Sequence, residues 1–267
     1  MKTRNIILFL SLALVLGGLP AFAQLGADAA KDAAKDAAKD AAKDAAKDAA
    51  KDAAKDAAKD AAKEAMGKDE DGWVDLFNGE DLDGWEQHGG EATYKVDDGA
   101  IVGTSAPNTS NTFLCTTKEF GDFILEFEFL AHPSLNSGVQ FRSHVRADDR
   151  VFGYQNELED ENKDRDWWCG IYDEARRGWI YPPKDDEELG EKFGAEGKRL
   201  WKNGEWNTVR IHCEGDHIRT YLNGELRTDF HDKMDAEGLI GLQVHGVGDR
   251  ETPMSVRWRN LRIKELD

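Results

Sequence analysis

FILEFEF, residues 123–129, is the stretch on which the fold turns. Phe123, Leu125, Phe127 and Phe129 take every second position, with Glu126 and Glu128 between them. Side chains of a β-strand alternate between two faces, so this order buries one face and wets the other. A helix of period 3.6 would scatter the same residues around its circumference. The neighbouring segments repeat the theme. Gly138 to His144, Phe152 to Glu159, Trp168 to Tyr172, Trp206 to Cys213, His217 to Leu222, Leu239 to His245 and Met254 to Lys264 read as strands. Tyr94 to Val102 reads as a hairpin around Asp97-Asp98-Gly99, and Asn223-Gly224 as a tight turn into Glu225 to Thr228. Asp185 to Lys198 is ambiguous; it is charge-rich and punctuated by glycine, and reads as a surface loop. About ten to twelve short strands at regular spacing predict an all-β jelly-roll sandwich of two curved antiparallel sheets. A bent sheet leaves one concave face, which can carry polar side chains for a ligand to cover.

Three strands carry polar groups of that kind. In NSGVQFRS (136–143), Gln140 and Arg142 share one face and Val139 and Phe141 the other. In VFGYQNELED (151–160), Gln155, Glu157 and Glu159 share a face, although like charges on one strand face repel. In GLQVHG (241–246), Gln243 and His245 lie opposite Leu242 and Val244. Each residue alone is explained by solvent on an outer face, but the coincidence across three strands points to a cleft. Amides, carboxylates, a guanidinium and an imidazole suit a polyhydroxylated ligand. Trp167, Trp168 and Trp179 offer flat surfaces for sugar rings, and Tyr172 joins this substrate-binding set. Glu157 and Glu159 would stand ~7 Å apart along the strand. With Arg142 holding one ionised, the other could keep a raised pKa, the usual route to separate acid and base roles. Calcium competes for the same acids, with Asp160 and Asn162 nearby. There is no EF-hand loop, H-E-x-x-H or zinc-spaced Cys/His cluster, so no metal ligand set or other cofactor is assigned. G-x-S-x-G, the P-loop and the dinucleotide fingerprint are also absent.

The chain ends add context. Residues 1–23 combine Lys2 and Arg4, an apolar run from Ile6 to Leu16, and Ala21-Phe22-Ala23, which together read as a cleaved signal peptide. A membrane anchor is the competing reading, but the run is short of the ~20 residues a span needs. The expected location is therefore periplasmic or extracellular, with no membrane span in the mature protein. Residues 24–71 hold an A-A-K-D repeat. Its period of four misses 3.6, so it builds no fixed apolar face and reads as a helical or disordered spacer before the 72–267 domain. The net charge is −18. Eleven cations and ten acids over residues 1–67 nearly cancel, so residues 68–267 carry −19. That disfavours nucleic acid and anionic membranes as partners. The three cysteines, Cys115, Cys169 and Cys213, allow at most one disulfide; each sits in a strand-like run and reads as a buried thiol.

WVDLFNGEDLDGWEQ (73–87), YKVDDGAIVG (94–103), NSGVQFRS, FGYQNELED, CGIYDEARRGW (169–179), NGEWNTVRIHCEGDHIRTYLNGE (203–225), GLIGLQVHG (238–246) and VRWRNLRIKEL (256–266) follow in order. The series resembles the 3-keto-disaccharide hydrolase domain family, over nearly all of residues 72–266. The resemblance implies a concanavalin A-like sandwich. It also implies action on glycosides already oxidised to a ketone at C3 by a partner oxidoreductase. On that reading Glu157 is the first choice for the base that removes the C2 proton. Arg142, Gln243 or His245 would polarise the ketone or assist the leaving group. Glu159 stands where the family pattern has Asp, and its role stays open. A non-catalytic, lectin-like carbohydrate-binding module on a spacer is the alternative function, since the same cleft would serve both.

Overall fold

The computed structural model describes residues 71–159 and 165–266. The leader expected at 1–23, the spacer expected at 24–71 except Asp71, and the calcium candidates Asp160 and Asn162 lie outside the described residues. The first strands in chain order are β1 (Val74–Asp75), β2 (Trp85–Gly89), β3 (Thr93–Asp97), β4 (Ala100–Thr104) and β5 (Thr112–Phe120). β6 (Phe123–Ala131), β7 (Ser137–Val145), β8 (Val151–Leu158), β9 (Ile171–Glu174) and β10 (Gly178–Tyr181) follow, then the helix α1 (Glu187–Leu200). β11 (Asn207–Glu214), β12 (His217–Leu222), β13 (Glu225–His231), β14 (Gly238–Val244) and β15 (Ser255–Glu265) complete the domain.

Every pairing is antiparallel. One sheet runs β13-β12-β11-β6-β15-β4-β3, with β1 added along the far end of β15; the other runs β10-β9-β8-β7-β14-β5-β2. The expected jelly-roll sandwich is the fold. FILEFEF is β6, at the centre of the first sheet. Phe123, Leu125, Phe127 and Phe129 are all buried there and pack on Val139, Phe141 and Leu242 of the facing sheet. Its glutamates face out into cross-strand ladders. Glu126 accepts from Arg210 at 2.7 Å and Arg262 at 2.6 Å, and Glu128 from Arg259 at 2.7 Å. Asp98 and Gly99 take φ of 51° and 67°, and Asn223 and Gly224 take 51° and 88°, so both expected hairpins close through left-handed turns.

Two expectations for the chain between β8 and β11 are corrected. Asp185 to Lys198 is not a loop: α1 occupies it. Asp186 caps the helix by accepting from the Leu189 N–H at 3.0 Å, acids fill the first turn and Lys198 and Arg199 the last. Gly190, Gly194 and Gly197 lie on one buried face rather than in turns. A Cβ at Gly194 would stand 2.2 Å from the Arg165 carbonyl, and one at Gly197 2.0 Å from that of Asp166. The glycines let the helix press onto the 165–167 backbone, and Trp167 donates its indole N–H to the Gly190 carbonyl at 3.0 Å. Nor does a strand begin at Trp168. Cys169 turns through φ 60°, and β9 starts at Ile171. Cys115, Cys169 and Cys213 are free and buried. Among the described residues no helix is long and apolar enough to cross a membrane.

Candidate functional site

Register assembles a site on the outer face of the second sheet. Gln243 of β14, Gly138 of β7 and Glu157 of β8 form one cross-strand row. Gly241, Gln140, Gln155, Tyr172 and Trp179 form the next. Strands lie ~4.8 Å apart, so Gln243 and Glu157 stand ~10 Å apart across the gap at Gly138. That glycine is required: a Cβ there would come within 2.5 Å of the Gln155 side chain. Over these rows opens a cavity of about 510 Å³, within the range of small-molecule sites. Glu157, Gln155, Gln243, His245, Tyr172 and Trp179 all line it, as the sequence predicts.

Glu157 is 5 % exposed. Its carboxylate accepts from the Asn136 amide at 2.5 Å and the Gln155 amide at 2.8 Å. Burial pushes its pKa up from 4.5 to about 7; the Asn136 bond opposes this, the nearby Glu159 adds to it, and Gln155 and Arg165 pull back. Gln155 is itself gripped from behind. Gln140 donates to its carbonyl oxygen at 2.6 Å, and the Ser143 hydroxyl donates to Gln140 at 2.7 Å. Ser143, Gln140, Gln155 and Glu157 thus form a buried chain that fixes the carboxylate. Gln243 contrasts with this: it is fully buried, lines the cavity, and neither side-chain amide atom has a hydrogen-bond partner. A buried amide without partners costs free energy that a ligand in the cavity can recover. His245 is exposed at the rim, its Nδ1 2.7 Å from the Gly246 carbonyl. Tyr172 and Trp179 meet edge to face at 5.6 Å and form one wall.

Four predicted site residues take other places. Arg142 is absent from the cavity. β7 bulges between Phe141 and His144, and Arg142 sits at φ 44°, which throws it to the other side of the sheet and puts Ser143 beside Gln140. Its buried guanidinium donates to the Gly121 carbonyl at 2.9 Å and the Gly215 carbonyl at 2.7 Å, and pairs with Asp122 at 2.7 Å. It ties the β5–β6 turn to the β11–β12 turn. Glu159 lies past the end of β8. Its side chain is fully buried, pairs with Arg165 and accepts from the Trp167 N–H at 2.8 Å. Gln140 lies beneath the floor and acts on Gln155 rather than on a ligand. Trp168 points into the core, stacked on Trp201 at 3.8 Å.

The sequence reading also missed lining residues. Asn136, Arg165, Lys184, Asn111 and Glu174 all face the cavity. Glu174 carried a signal: it follows Tyr172 by two on the same strand. Asn136 and Asn111 sit in connections, where alternation says nothing. Arg165 lies over both Trp167 and Trp179, 5.3 and 4.8 Å from their ring centres, and reaches the site through Glu159. Among the described residues no group of three or more His, Cys, Asp or Glu is placed to hold a metal.

Fold and cavity together define a jelly-roll domain with a polar small-molecule cleft over one sheet and a buried carboxylate in its floor. The chain belongs to the 3-keto-alpha-glucoside-1,2-lyase-like domain family, whose profile matches residues 72–264. No curated protein matches the chain. A protein from Parabacteroides distasonis described as a "putative glycosyl hydrolase" shares the fold, with a TM-score of 0.52 and 22% identity over 74% of this chain and 95% of its own. A second such protein from the same organism gives 0.47 at 20% identity, over 73% of this chain and 99% of its own. A carbohydrate binding module from Bacillus subtilis gives 0.41 at 16% identity, over 68% and 96%.

Proposed function

We propose that the domain is an exported enzyme that cleaves the glycosidic bond of 3-keto-glycosides by elimination and hydration. One observation carries this reading: a buried carboxylate whose pKa is lifted to about 7, fixed by two amides at the floor of a sugar-sized cleft. A general base works best when its pKa lies near the working pH, and burial moves Glu157 toward that range. A ketone at C3 acidifies the C2–H bond. Glu157 takes that proton, and the electron pair moves onto the ketone oxygen as an enolate. Gln243, with its unsatisfied amide, and His245 at the rim are placed to donate to that oxygen. The pair then returns to form C1=C2, the C1–O bond breaks, and the departing oxygen takes a proton from water. The hydroxide left behind adds to C1, and Glu157 returns its proton to C2. Family membership supports the substrate class, and an oxidoreductase that oxidises C3 must act first.

The test is incubation with 3-keto-trehalose and, in parallel, trehalose. Release of monosaccharide from the keto form alone is expected. Measurable binding without release from either would favour a lectin-like module instead.

A further inference from the structure

A second cavity, of about 580 Å³, adjoins the first and shares Asn111, Glu174 and Gly246 with it. It lies on the same sheet face, at the end where β2, β5 and the β7–β8 turn meet. Its rim is fixed. Asp149, in the turn after β7, accepts from the Gly89 N–H at 2.9 Å and pairs with His88 Nδ1 at 2.6 Å. The wall between the cavities is fixed as well. Asn111 accepts from the Gly246 N–H at 2.9 Å and hydrogen-bonds Glu174, whose pKa burial raises. Phe113 and Val151 contribute apolar surface; with Cys115 they form a small buried cluster separate from the main core. An apolar patch with a few fixed polar groups above it fits a sugar ring, whose C–H face is apolar and whose edge is hydroxylated.

We propose that this second cavity is the leaving-group subsite and that it takes an uncharged hydroxylated ring, the second sugar of a disaccharide. The proposal rests on the first cavity being the keto-sugar site. A glycosidic oxygen near the Asn111–Glu174 wall would leave the keto ring over Glu157 and the departing ring over Phe113. Charge sets the class. Asp148, Asp149 and Glu174 face one cation, Arg150, and residues 68–267 carry a net charge of −19, so a ring bearing a carboxylate or phosphate is disfavoured. The leaving alcohol departs as R–OH, as in the sequence above, and no further reactant is needed.

Ser110 lies on the exposed rim of the second cavity only, so Ser110→Trp obstructs it without entering the core. Three substrates are compared: methyl 3-keto-glucoside, 3-keto-trehalose, and a 3-keto-glucoside of glucuronic acid. Wild-type protein is expected to cleave all three, with KM for 3-keto-trehalose about tenfold below the other two. Ser110→Trp should erase that advantage and leave the methyl substrate's kcat/KM within about twofold. Asp148→Lys should lower KM for the glucuronic substrate alone. If wild-type protein cleaves none of the three, the parent reading falls and takes the subsite with it. If it cleaves the methyl substrate but Ser110→Trp slows both neutral substrates alike, or neither, the subsite alone is overturned.

Discussion

Glu157→Gln perturbs the site at the group that carries the proposed chemistry, and its effects can be worked from the surroundings of the side chain. In the folded domain the carboxyl titrates at about 7, against 4.5 for the ordinary group. The folded state therefore holds a proton that the unfolded chain has already shed between those values. A raised acid costs stability as pH rises through the window, and the cost is complete above pH 7. A gap of this size amounts to about 3 kcal/mol, most of it, ~2–3 kcal/mol, falling between pH 5 and 8. Glutamine removes the titration but turns an N–H group toward Asn136 or Gln155, both of which donate to the native carboxylate. That mismatch costs about 1–3 kcal/mol at every pH. The variant should thus be less stable than wild type at pH 5 and equal or more stable at pH 8. Denaturant melts at the two pH values read the difference directly. In the same protein kcat should fall by about 10²- to 10⁴-fold, and the wild-type rate should climb with pH through about 7. A stability difference that does not change with pH would refute the buried, perturbed carboxyl. A rate that falls as pH rises through 7 would refute its role as a base.

Gly138→Ala sets a methyl group 2.5 Å from the Gln155 side chain, so Gln155 must leave Glu157. Activity should drop at least about tenfold, with a loss of ~1–3 kcal/mol measured by chemical unfolding. Gly194→Ala replaces a residue of poor helix propensity, yet the new Cβ would sit 2.2 Å from the Arg165 carbonyl. The clash outweighs the ~1 kcal/mol of propensity gained, and the melting temperature should fall, not rise. Arg142→Met strips two turns of a buried ionic donor and leaves Asp122 and two carbonyls without it. Stability should fall by about 3 kcal/mol or more, while KM of the folded fraction stays at the wild-type value, because Arg142 does not touch the cleft.

Much of the fold was legible because alternation is strict where one face of a strand is buried. FILEFEF, GLQV and the Asn223-Gly224 turn follow local rules that tertiary contacts do not override. The polar faces of β8 and β14 were legible for the same reason, and they carry Gln155, Glu157 and Gln243 into one cavity. Legibility failed where period two breaks. The bulge after Phe141 exchanges Arg142 for Ser143, and no residue type announces a bulge at that step. Trp168 read as a strand position, but the left-handed turn at Cys169 sends it into the core. Glu159 follows the alternation on paper, but the strand has ended. The α1 glycines misled in the other direction. Spaced at 190, 194 and 197, they mark a face for close packing, and the same residues also spell a loop. Strand-interior glycines are a further signal in the sequence: a Cβ at Gly138 would press on Gln155, and one at Gly241 on Cys115 and Gln140.

The central claim is that Glu157 removes the proton at C2, and solvent isotope incorporation tests it most directly. Cleavage of 3-keto-trehalose in D₂O, followed by NMR against an enzyme-free control, reports whether C2 loses its proton during turnover. The account predicts deuterium at C2 of the sugar released from the keto ring, because the proton on Glu157 exchanges with solvent before it returns. Glu157→Gln should release almost no product. Full cleavage with protium retained at C2 would contradict the account and mean that water displaces the leaving group directly at C1.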